Sequence, residues 1–245
     1  MTIHQRLANA TLQILSGTSI GTGFHFMDQR YVLTNYHVVS QSINDGTTPI
    51  LGRTEDGRTY GFSVVDFSDD SHDDFALLEC KTDIGPGREI LLPKIVNPIE
   101  KGTEILFSGY PHGIPHLLVN RGIVSGTLDN HSFYLDGIVN GGNSGGPIID
   151  ISDFSLIGIV TQRRFLGGDK LQNMSNEVHQ LLGQINQMRK GISVQFGPVD
   201  LGSFMTVVGS SIELCNKVIQ QNSNTGIGIG FTLEAATNCF KKRQP

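Results

Sequence analysis

The sequence predicts an all-β fold built in two halves, with a helical insertion near its carboxy-terminal end. Between Ala10 and Thr161, short apolar runs are separated by turn residues, which is typical of β-sandwiches and barrels. The chain has 30 glycines among its 245 residues, and this enrichment favours many tight turns. Prolines and glycines interrupt the pattern over Ile84–Pro98, so this stretch is predicted to connect the two halves.

Each apolar run predicts one strand, because apolar and β-branched residues bounded by turn residues favour strand formation. Helix is expected to be nearly absent from this part of the chain. In order, the predicted strands are Thr11–Leu15, Thr22–Phe26, Tyr31–Thr34, Tyr60–Phe67, Phe75–Cys80, Glu104–Ser108, Val119–Gly126, Phe133–Leu135, Pro147–Ile151 and Ile157–Thr161.

After Arg164 the hydrophobic period changes from that of strands to that of helices. Two apolar series each describe one face of an amphipathic helix, and Asp200 is placed to cap the second. Beyond them, Gly226–Thr232 predicts a final strand, and a short amphipathic helix is expected to end near Phe240. The first series is Met174, Val178, Leu181, Leu182, Ile185 and Met188, and the second is Leu201, Phe204, Met205, Val208, Ile212, Cys215 and Ile219.

Charge and composition argue against several classes of protein. The formal charge of −5 does not suit a nucleic-acid-binding protein, because phosphate recognition needs a basic surface. No apolar stretch is long enough to span a membrane, and the first residues lack the apolar run of an export signal, so a cytoplasmic protein is expected. The three cysteines are widely spaced, so buried reduced thiols are expected rather than a disulfide framework or a metal site.

The segment Gly141–Pro147 carries the strongest chemical signal, a serine, Ser144, surrounded by glycines. A serine in such a turn exposes its hydroxyl, and neighbouring backbone N–H groups can converge on one point, as a nucleophile with an oxyanion hole requires. A plain glycine-rich turn is the alternative. The order Gly-Asn-Ser-Gly-Gly-Pro, followed by an apolar run, favours the catalytic interpretation.

A serine nucleophile needs a base and a group that orients the base. Of the eight histidines, His37 follows an apolar strand, where a rigid scaffold can present it. The acid is sought in the acidic turn before a predicted strand, where strand alternation would place Asp74 on the face of Ala76 and Leu78 and so inside the protein. Its neighbours Asp69, Asp70 and Asp73 are expected to form a solvated turn or a weak calcium loop.

Four segments, including those that contain His37, Asp74 and Ser144, occur in a characteristic order. They are Gly21-Thr22-Gly23-Phe24, Thr34-Asn35-Tyr36-His37-Val38, Asp74-Phe75-Ala76-Leu77-Leu78 and Gly142-Asn143-Ser144-Gly145-Gly146-Pro147. In order and approximate spacing they resemble the motifs of trypsin-like serine proteases, and the chain is most similar to the bacterial HtrA/Deg-type protease domain. The resemblance covers about Thr11–Arg163 and resumes at Gly226–Thr232.

The resemblance implies two six-stranded Greek-key β-barrels with the site in the cleft between them. The N-terminal barrel would span residues 1–83 and carry His37 and Asp74. A connector would span 84–99, and the C-terminal barrel would span 100–245 and carry Ser144. The helical insertion, at about 165–225, has no recognised counterpart in the family. Neither an Ile-Val-Gly-Gly activation terminus nor a PDZ domain is expected.

The activity implied by the resemblance is that of a serine endopeptidase, a hydrolase that works through an acyl-enzyme. His37 would act as the base and Asp74 would orient it. The backbone N–H groups of Gly142 and Ser144 would form the oxyanion hole. No metal or other cofactor is expected.

The resemblance also suggests where substrate binds. Ile138 stands six residues before Ser144, the position that forms the base of the family's specificity pocket. An apolar floor offers no counter-charge to Lys or Arg, so small or medium apolar residues are expected before the cut. The other members of this region are Thr161, Gln162 and Arg163, which should pair with an extended substrate, and Gly230 and Thr232, which should line the back of the pocket. Arg163 could instead reach an acidic group of the substrate.

Two other functions stay open. The chain could be a protease kept inactive until a regulatory protein partner engages the helical insertion, or a triad-bearing module that only binds peptides. In each case the expected ligand is a protein or peptide substrate, rather than nucleic acid or a membrane.

Overall fold

A computed structural model gives the structure of the chain and describes residues 1–69, 71–82, 84–85, 87–95, 98–112, 114–165, 176–184, 187, 195–197, 199–222 and 224–243. The chain divides into two compact units, the first formed by Met1–Arg163 with Gly226–Pro245 and the second by Arg164–Thr225. Along the chain the elements are α1 (Ile3–Ala10), β1 (Thr11–Ser16), β2 (Ser19–His25), β3 (Tyr31–Thr34), α2 (Tyr36–Asp45), β4 (Ile50–Arg53), β5 (Thr59–Ser68), β6 (Phe75–Cys80), β7 (Glu104–Gly109), β8 (Leu118–Thr127), β9 (Ser132–Asp136), β10 (Pro147–Asp150), β11 (Leu156–Phe165), α3 (176–184), β12 (Gln195–Phe196), β13 (Val199–Asp200), α4 (Leu201–Asn222), β14 (Asn224–Phe231) and α5 (Glu234–Lys241).

The described part of the first unit contains two closed barrels, each of six strands. The strand order is β1-β2-β3-β6-β5-β4 in the first barrel and β10-β11-β14-β9-β8-β7 in the second. Each barrel encloses its own apolar core, with Ile14 and Phe62 in the first and Phe107 and Val124 in the second. The predicted fold class, an all-β protein of two six-stranded barrels, is therefore confirmed.

A shared apolar layer joins the two barrels. It contains buried residues of both, such as Phe26 and Leu106, together with residues of the terminal helices α1 and α5. Helix α1 packs on β7 and β8 of the second barrel, whereas α5 packs on β6 of the first. The rings of Phe26 and Phe240 meet edge to face, with centroids 6.0 Å apart. Because each terminal helix packs on the barrel distant from it in sequence, the layer fixes the two barrels against each other.

The first barrel differs from the prediction in its helices and in one strand. Helices α1 and α2 were not expected, although Gly46, with a φ of 64°, ends α2 in the left-handed conformation that commonly follows a helix. Helix α1 begins with a capping box, in which the side chain of Thr2 accepts from the backbone N–H of Gln5 and the side chain of Gln5 accepts from that of Thr2. Strand β4 was also missed, because it is short and only alternate residues of it are buried.

The second unit contains the predicted insertion. Residues 176–184 are helical and α4 follows a two-stranded sheet of β12 and β13. As predicted, Asp200 caps α4, since its carboxylate accepts from the backbone N–H of Ser203 at 2.9 Å. Met174 and Ile185 of the first predicted face lie outside the described residues. Leu181 and Phe204 are exposed.

The cysteine prediction holds only in part. The three thiols are free, as expected, but none of them is fully buried: Cys215 is exposed, and Cys80 and Cys239 are half-buried.

Candidate active site

The first barrel presents His37 at the start of α2. Asn35 follows β3 and occupies the N-cap position of α2, so that His37 lies in the first helical turn. The backbone N–H of His37 donates to Asp74 Oδ1 at 3.1 Å, and His37 Nδ1 lies 2.7 Å from Asp74 Oδ2. Two hydrogen bonds to one carboxylate therefore fix both the backbone and the ring of His37.

Asp74 is buried, as predicted, but for another reason. It precedes β6 in the left-handed conformation, with a φ of 42°, and only 1% of its surface is exposed. Residues 75–78 are all buried, so strand alternation does not select the inner face here. The side-chain amide of Asn35 donates to the carbonyl oxygen of Asp74 at 2.7 Å. This bond and the turn before β6 place the carboxylate beneath His37.

The second barrel presents Ser144 in a tight loop before β10. Gly142 and Gly145 have φ values of 93° and 84°, which favour glycine. A Cβ on Gly142 would lie 2.2 Å from the carbonyl oxygen of Tyr110, and one on Gly145 would lie 2.0 Å from that of Thr22. Both glycines are therefore required by conformation and by close backbone approach.

Two backbone donors of this loop point into the cleft. The carbonyl groups of Gly141 and Asn143 accept hydrogen bonds from other backbone N–H groups at 2.7 and 2.9 Å. Because C=O and N–H point in opposite directions across a trans peptide, the N–H groups of Gly142 and Ser144 point away from these partners. Neither N–H has a hydrogen-bond partner among the described residues, and both residues line the cleft. Both donors are available to a ligand.

Thr161 contacts both Ser144 and Asp74, and this link was not predicted from the sequence. Its hydroxyl donates to Asp74 Oδ2 at 2.6 Å, and its carbonyl oxygen accepts from Ser144 Oγ at 3.0 Å. It was expected only to pair with substrate. His37, whose side chain is 38% exposed, and Ser144 line one cleft of about 380 Å³. The structure thus brings His37, Asp74 and Ser144 together.

The neighbouring Thr22 is a second residue that was not predicted. Its hydroxyl donates to the carbonyl oxygen of Gly142 at 2.7 Å and accepts from the backbone N–H of Tyr110 at 3.0 Å. Its own backbone N–H donates to the carbonyl oxygen of Ser144 at 2.8 Å. A buried residue of the first barrel therefore helps to hold the serine loop of the second.

The register does not bring Gly230 and Thr232 to Ile138. Gly230 pairs with Phe133 on β9. The other end of β9, at Asp136, is about 10 Å from Phe133 at 3.4 Å per residue, and Ile138 follows beyond it. A Cβ on Gly230 would lie 2.6 Å from Ile148 Cδ1, so this glycine faces the barrel interior. The predicted place of both residues behind the specificity pocket is therefore not supported.

Other glycines of β14 lie closer to Ile138. The backbone N–H of Gly137 donates to the carbonyl oxygen of Gly226 at 2.8 Å, and a Cβ on Gly228 would lie 2.4 Å from Val139. Ile138 itself is 64% exposed, so it is not buried as a pocket floor in this structure. The apolar floor stays a prediction. Gln162 and Arg163 continue β11, but their side chains lie outside the described part of the chain.

Within the described residues, no group of three or more His, Cys, Asp or Glu side chains is placed to hold a metal ion. In that same part of the chain, no helix is both long enough and apolar enough to cross a membrane.

Comparisons with known proteins agree on one family. The model of the trypsin-like peptidase domain matches residues 21–159. A probable periplasmic DegP-like serine endoprotease of Marinomonas sp. (strain MWYL1) is 34% identical over 152 residues, covering 59% of this chain and 30% of that protein. Protease Do-like 8, chloroplastic, of Arabidopsis thaliana is 30% identical over 148 residues, covering 53% of this chain and 32% of that protein. The chain thus spans about a third of the length of these curated relatives.

A solved structure gives the same result for the fold. The crystal structure of the serine endoprotease from Yersinia pestis superposes with a TM-score of 0.55 at 26% sequence identity, and the match covers 66% of this chain and 57% of that one.

The expected cytoplasmic location is wrong. Several of the similar proteins are named periplasmic serine endoproteases, and this finding overturns the expectation. The expectation rested on the first residues of the sequence, and these do not determine the compartment.

Proposed function

Since the chain belongs to the trypsin-like peptidase family, we propose that it hydrolyses peptide bonds as a serine endopeptidase with Ser144 as the nucleophile. The observation that carries the proposal is the pair of hydrogen bonds from His37 to the buried Asp74, at 3.1 and 2.7 Å, in the cleft that Ser144 lines. A histidine held by a buried carboxylate beside a half-buried serine that lines a cleft is the arrangement that activates a hydroxyl for acyl transfer.

The first step moves one proton and forms one bond. Because Nδ1–H of His37 donates to Asp74, the Nε2 lone pair is free to accept a proton. The Ser144 hydroxyl, which donates to Thr161 in this structure, turns towards Nε2 when substrate binds. Oγ then attacks the scissile carbonyl carbon while His37 takes the proton, and Asp74 stabilises the resulting imidazolium.

The negative charge that develops on the carbonyl oxygen is met by the N–H groups of Gly142 and Ser144. These groups have no other partner among the described residues, so they can bind the oxyanion without first breaking a hydrogen bond. Donors fixed in advance stabilise such a charge strongly, and removal of one typically costs about 10²–10³ in turnover.

The intermediate then collapses in two stages. His37 gives its proton to the leaving nitrogen, the C–N bond breaks, and the acyl group stays on Ser144 as an ester. Water next attacks this ester with His37 again as the base, which releases the carboxylic acid and restores the serine. The residues of this chain supply every proton transfer in the cycle.

The acyl half of the substrate is proposed to extend along Thr161–Arg163, which continue β11. An extended peptide can add to such a strand through backbone hydrogen bonds. An apolar residue before the cut remains the expectation from Ile138, and contact of Arg163 with an acidic substrate group is the alternative. A regulatory partner at the insertion remains a prediction, and no observation on the described residues favours it or a binding-only module.

Proteolysis of an unfolded protein tests this proposal. We expect the wild-type chain to degrade casein, whereas Ser144→Ala and His37→Ala should each abolish degradation while keeping the wild-type circular dichroism spectrum. The two losses should not add in the double variant, because the residues act as one unit. Equal rates for wild type and Ser144→Ala would refute the assignment.

A further inference from the structure

A second histidine, His112, lies in the catalytic cleft without a part in the mechanism above. The cleft is lined by the β1–β2 turn at Thr18–Ile20, by the start of α2 with His37, by the Ser144 loop and by His112. Its volume of about 380 Å³ is within the range of ligand-binding sites. His112 comes from the loop after β7, on the second barrel.

His112 is anchored to the serine loop. Its backbone N–H donates to the carbonyl oxygen of Gly141 at 2.7 Å. Its ring packs on the same residue, since a Cβ on Gly141 would lie 2.5 Å from Cδ2 of His112. The side chain is exposed, and its ring nitrogens have no hydrogen-bond partner among the described residues. The imidazole is therefore held in place and free to bind a ligand.

The cleft around His112 suits a negative charge. No acidic side chain is among its described lining residues, and the two imidazoles of His37 and His112 are the only titratable groups there. The remaining polar groups include the hydroxyls of Thr18 and Ser19, which can donate hydrogen bonds. His116 is the other histidine of the His112 loop, and it does not line the cleft. Imidazoles gain a proton between about pH 5 and 8, which would add a positive charge.

The position of the cleft indicates which half of the substrate it receives. Strand β11 does not contribute to its lining. If the acyl half follows β11, as proposed above, the half that leaves as an amine must lie on the other side of Ser144. That side is the cleft between the β1–β2 turn and His112.

We propose that His112 selects substrates that carry a carboxylate just after the cleaved bond. This inference rests on the proposed function and adds a substrate class to it. The carboxylate can belong to an Asp or Glu side chain or to a free carboxy-terminus. In either case the protonated imidazole pairs with it while the bond before it is cleaved.

Matched peptides test the inference. Two amidated peptides differ only in Glu or Gln after the cleaved bond, and a third ends there in Gln with a free carboxylate. We expect kcat/KM for Glu over Gln to be about fivefold at pH 6 and near one at pH 8, the size of an exposed ion pair. The ratio of two peptides at one pH cancels any effect of pH that both peptides share. A preference for the free-acid peptide alone would identify the carboxy-terminus as the ligand.

Two variants separate charge from packing. His112→Phe keeps a ring on Gly141 and removes the charge, so the ratio should fall to about one at both pH values, whatever happens to the absolute rate. His116→Phe changes the exposed histidine outside the cleft and should keep the wild-type ratio. A wild-type ratio of one at pH 6 for every carboxylate peptide, or a preference that survives His112→Phe, would overturn the inference.

Binding to Ser144→Ala, followed by fluorescence anisotropy, distinguishes the two proposals because it needs no turnover. If the wild type cleaves no peptide but Ser144→Ala binds the Glu peptide more tightly at pH 6, the peptidase proposal is rejected. His112 is then retained as a carboxylate-binding residue. Equal cleavage and equal binding of all peptides would support the peptidase proposal and reject the role proposed for His112.

Discussion

The hydroxyl of Thr161 donates to Oδ2 of Asp74 at 2.6 Å, and the same oxygen lies 2.7 Å from His37 Nδ1. With the backbone N–H of His37 on Oδ1, the buried carboxylate accepts three hydrogen bonds. The carboxylate cannot turn without breaking them. In the proposed mechanism Thr161 is thus a positioning residue, because it would act on the reaction through the orientation of Asp74 and His37.

Replacing Thr161 tests this role. Thr161→Val keeps the shape of the side chain but removes the donor, and a hydrogen bond to a charged group contributes about 1.5–3 kcal/mol. We expect kcat to fall by about 10- to 100-fold with little change in KM. Thr161→Ser keeps the hydroxyl and should retain most of the activity. Equal kcat values for the Val and Ser variants would contradict the positioning role.

Substitutions of Asp74 and of its neighbour Asp73 provide a test variant and its control. Asp74→Asn should lower kcat by about 10⁴, because an amide favours the wrong tautomer of His37. Asp73 lies 3.3 Å from Nδ1 of His131 and does not contact His37, so Asp73→Asn should change kcat little. Steady-state kinetics with one peptide substrate gives kcat for both variants. A larger loss for Asp73→Asn would mean that Asp74 is not the orienting acid.

Alanine substitutions at Gly142 and Gly102 distinguish the effect of backbone strain from the effect of a close contact. Both have a positive φ, of 93° and 88°, but only Gly142 approaches another atom, the carbonyl oxygen of Tyr110. Gly142→Ala should therefore displace the oxyanion donors and lower kcat by at least about 10². Gly102→Ala should cost about 1–3 kcal/mol of stability from strain alone and leave kcat unchanged. Urea unfolding and kinetics measure the two effects, and a fully active Gly142→Ala would exclude this oxyanion site.

Burial lowers the pKa of His25 from 6.5 to about 4, and the charge of Arg88 adds to the effect. The unfolded chain then binds a proton that the folded chain does not, so stability is complete above about pH 6.5 and declines as the pH falls towards 4. The loss across that window is about 3 kcal/mol.

The free energy of unfolding in urea, measured from pH 7.5 to 4.5, tests this. His25→Phe should remove most of the decline, whereas His116→Gln, which changes an exposed histidine, should not. An equally steep decline in His25→Phe would assign the acid sensitivity to other groups.

The sequence predicted most strands well, because they are apolar runs bounded by glycine and proline, and the family resemblance implied their arrangement in two barrels. It also predicted that His37, Asp74 and Ser144 would come together, since each lies in a motif of one family. The resemblance to HtrA/Deg-type proteases, which those motifs carried, is confirmed by the relatives that the chain matches.

The side-chain contacts that were not predicted join residues far apart in the chain. Thr161 follows Asp74 by 87 positions in the chain, and Thr22 precedes Gly142 by 120. Neither hydroxyl stands out in a strand where threonine is common. Gly230 and Thr232 were misplaced because the register of β14 on β9 decides which residue meets Ile138, and a shift along the strand moves every neighbour. The left-handed turn at Asp74 has no local signature.

Labelling with a fluorophosphonate probe tests most directly whether Ser144 is an activated nucleophile, because the reagent reacts with a serine hydroxyl that a base has activated. We expect one adduct per chain, assigned to Ser144 by mass spectrometry of a tryptic digest, and at least a 100-fold slower reaction in His37→Ala. No adduct on folded wild-type protein, or an equal rate in His37→Ala, would contradict the account.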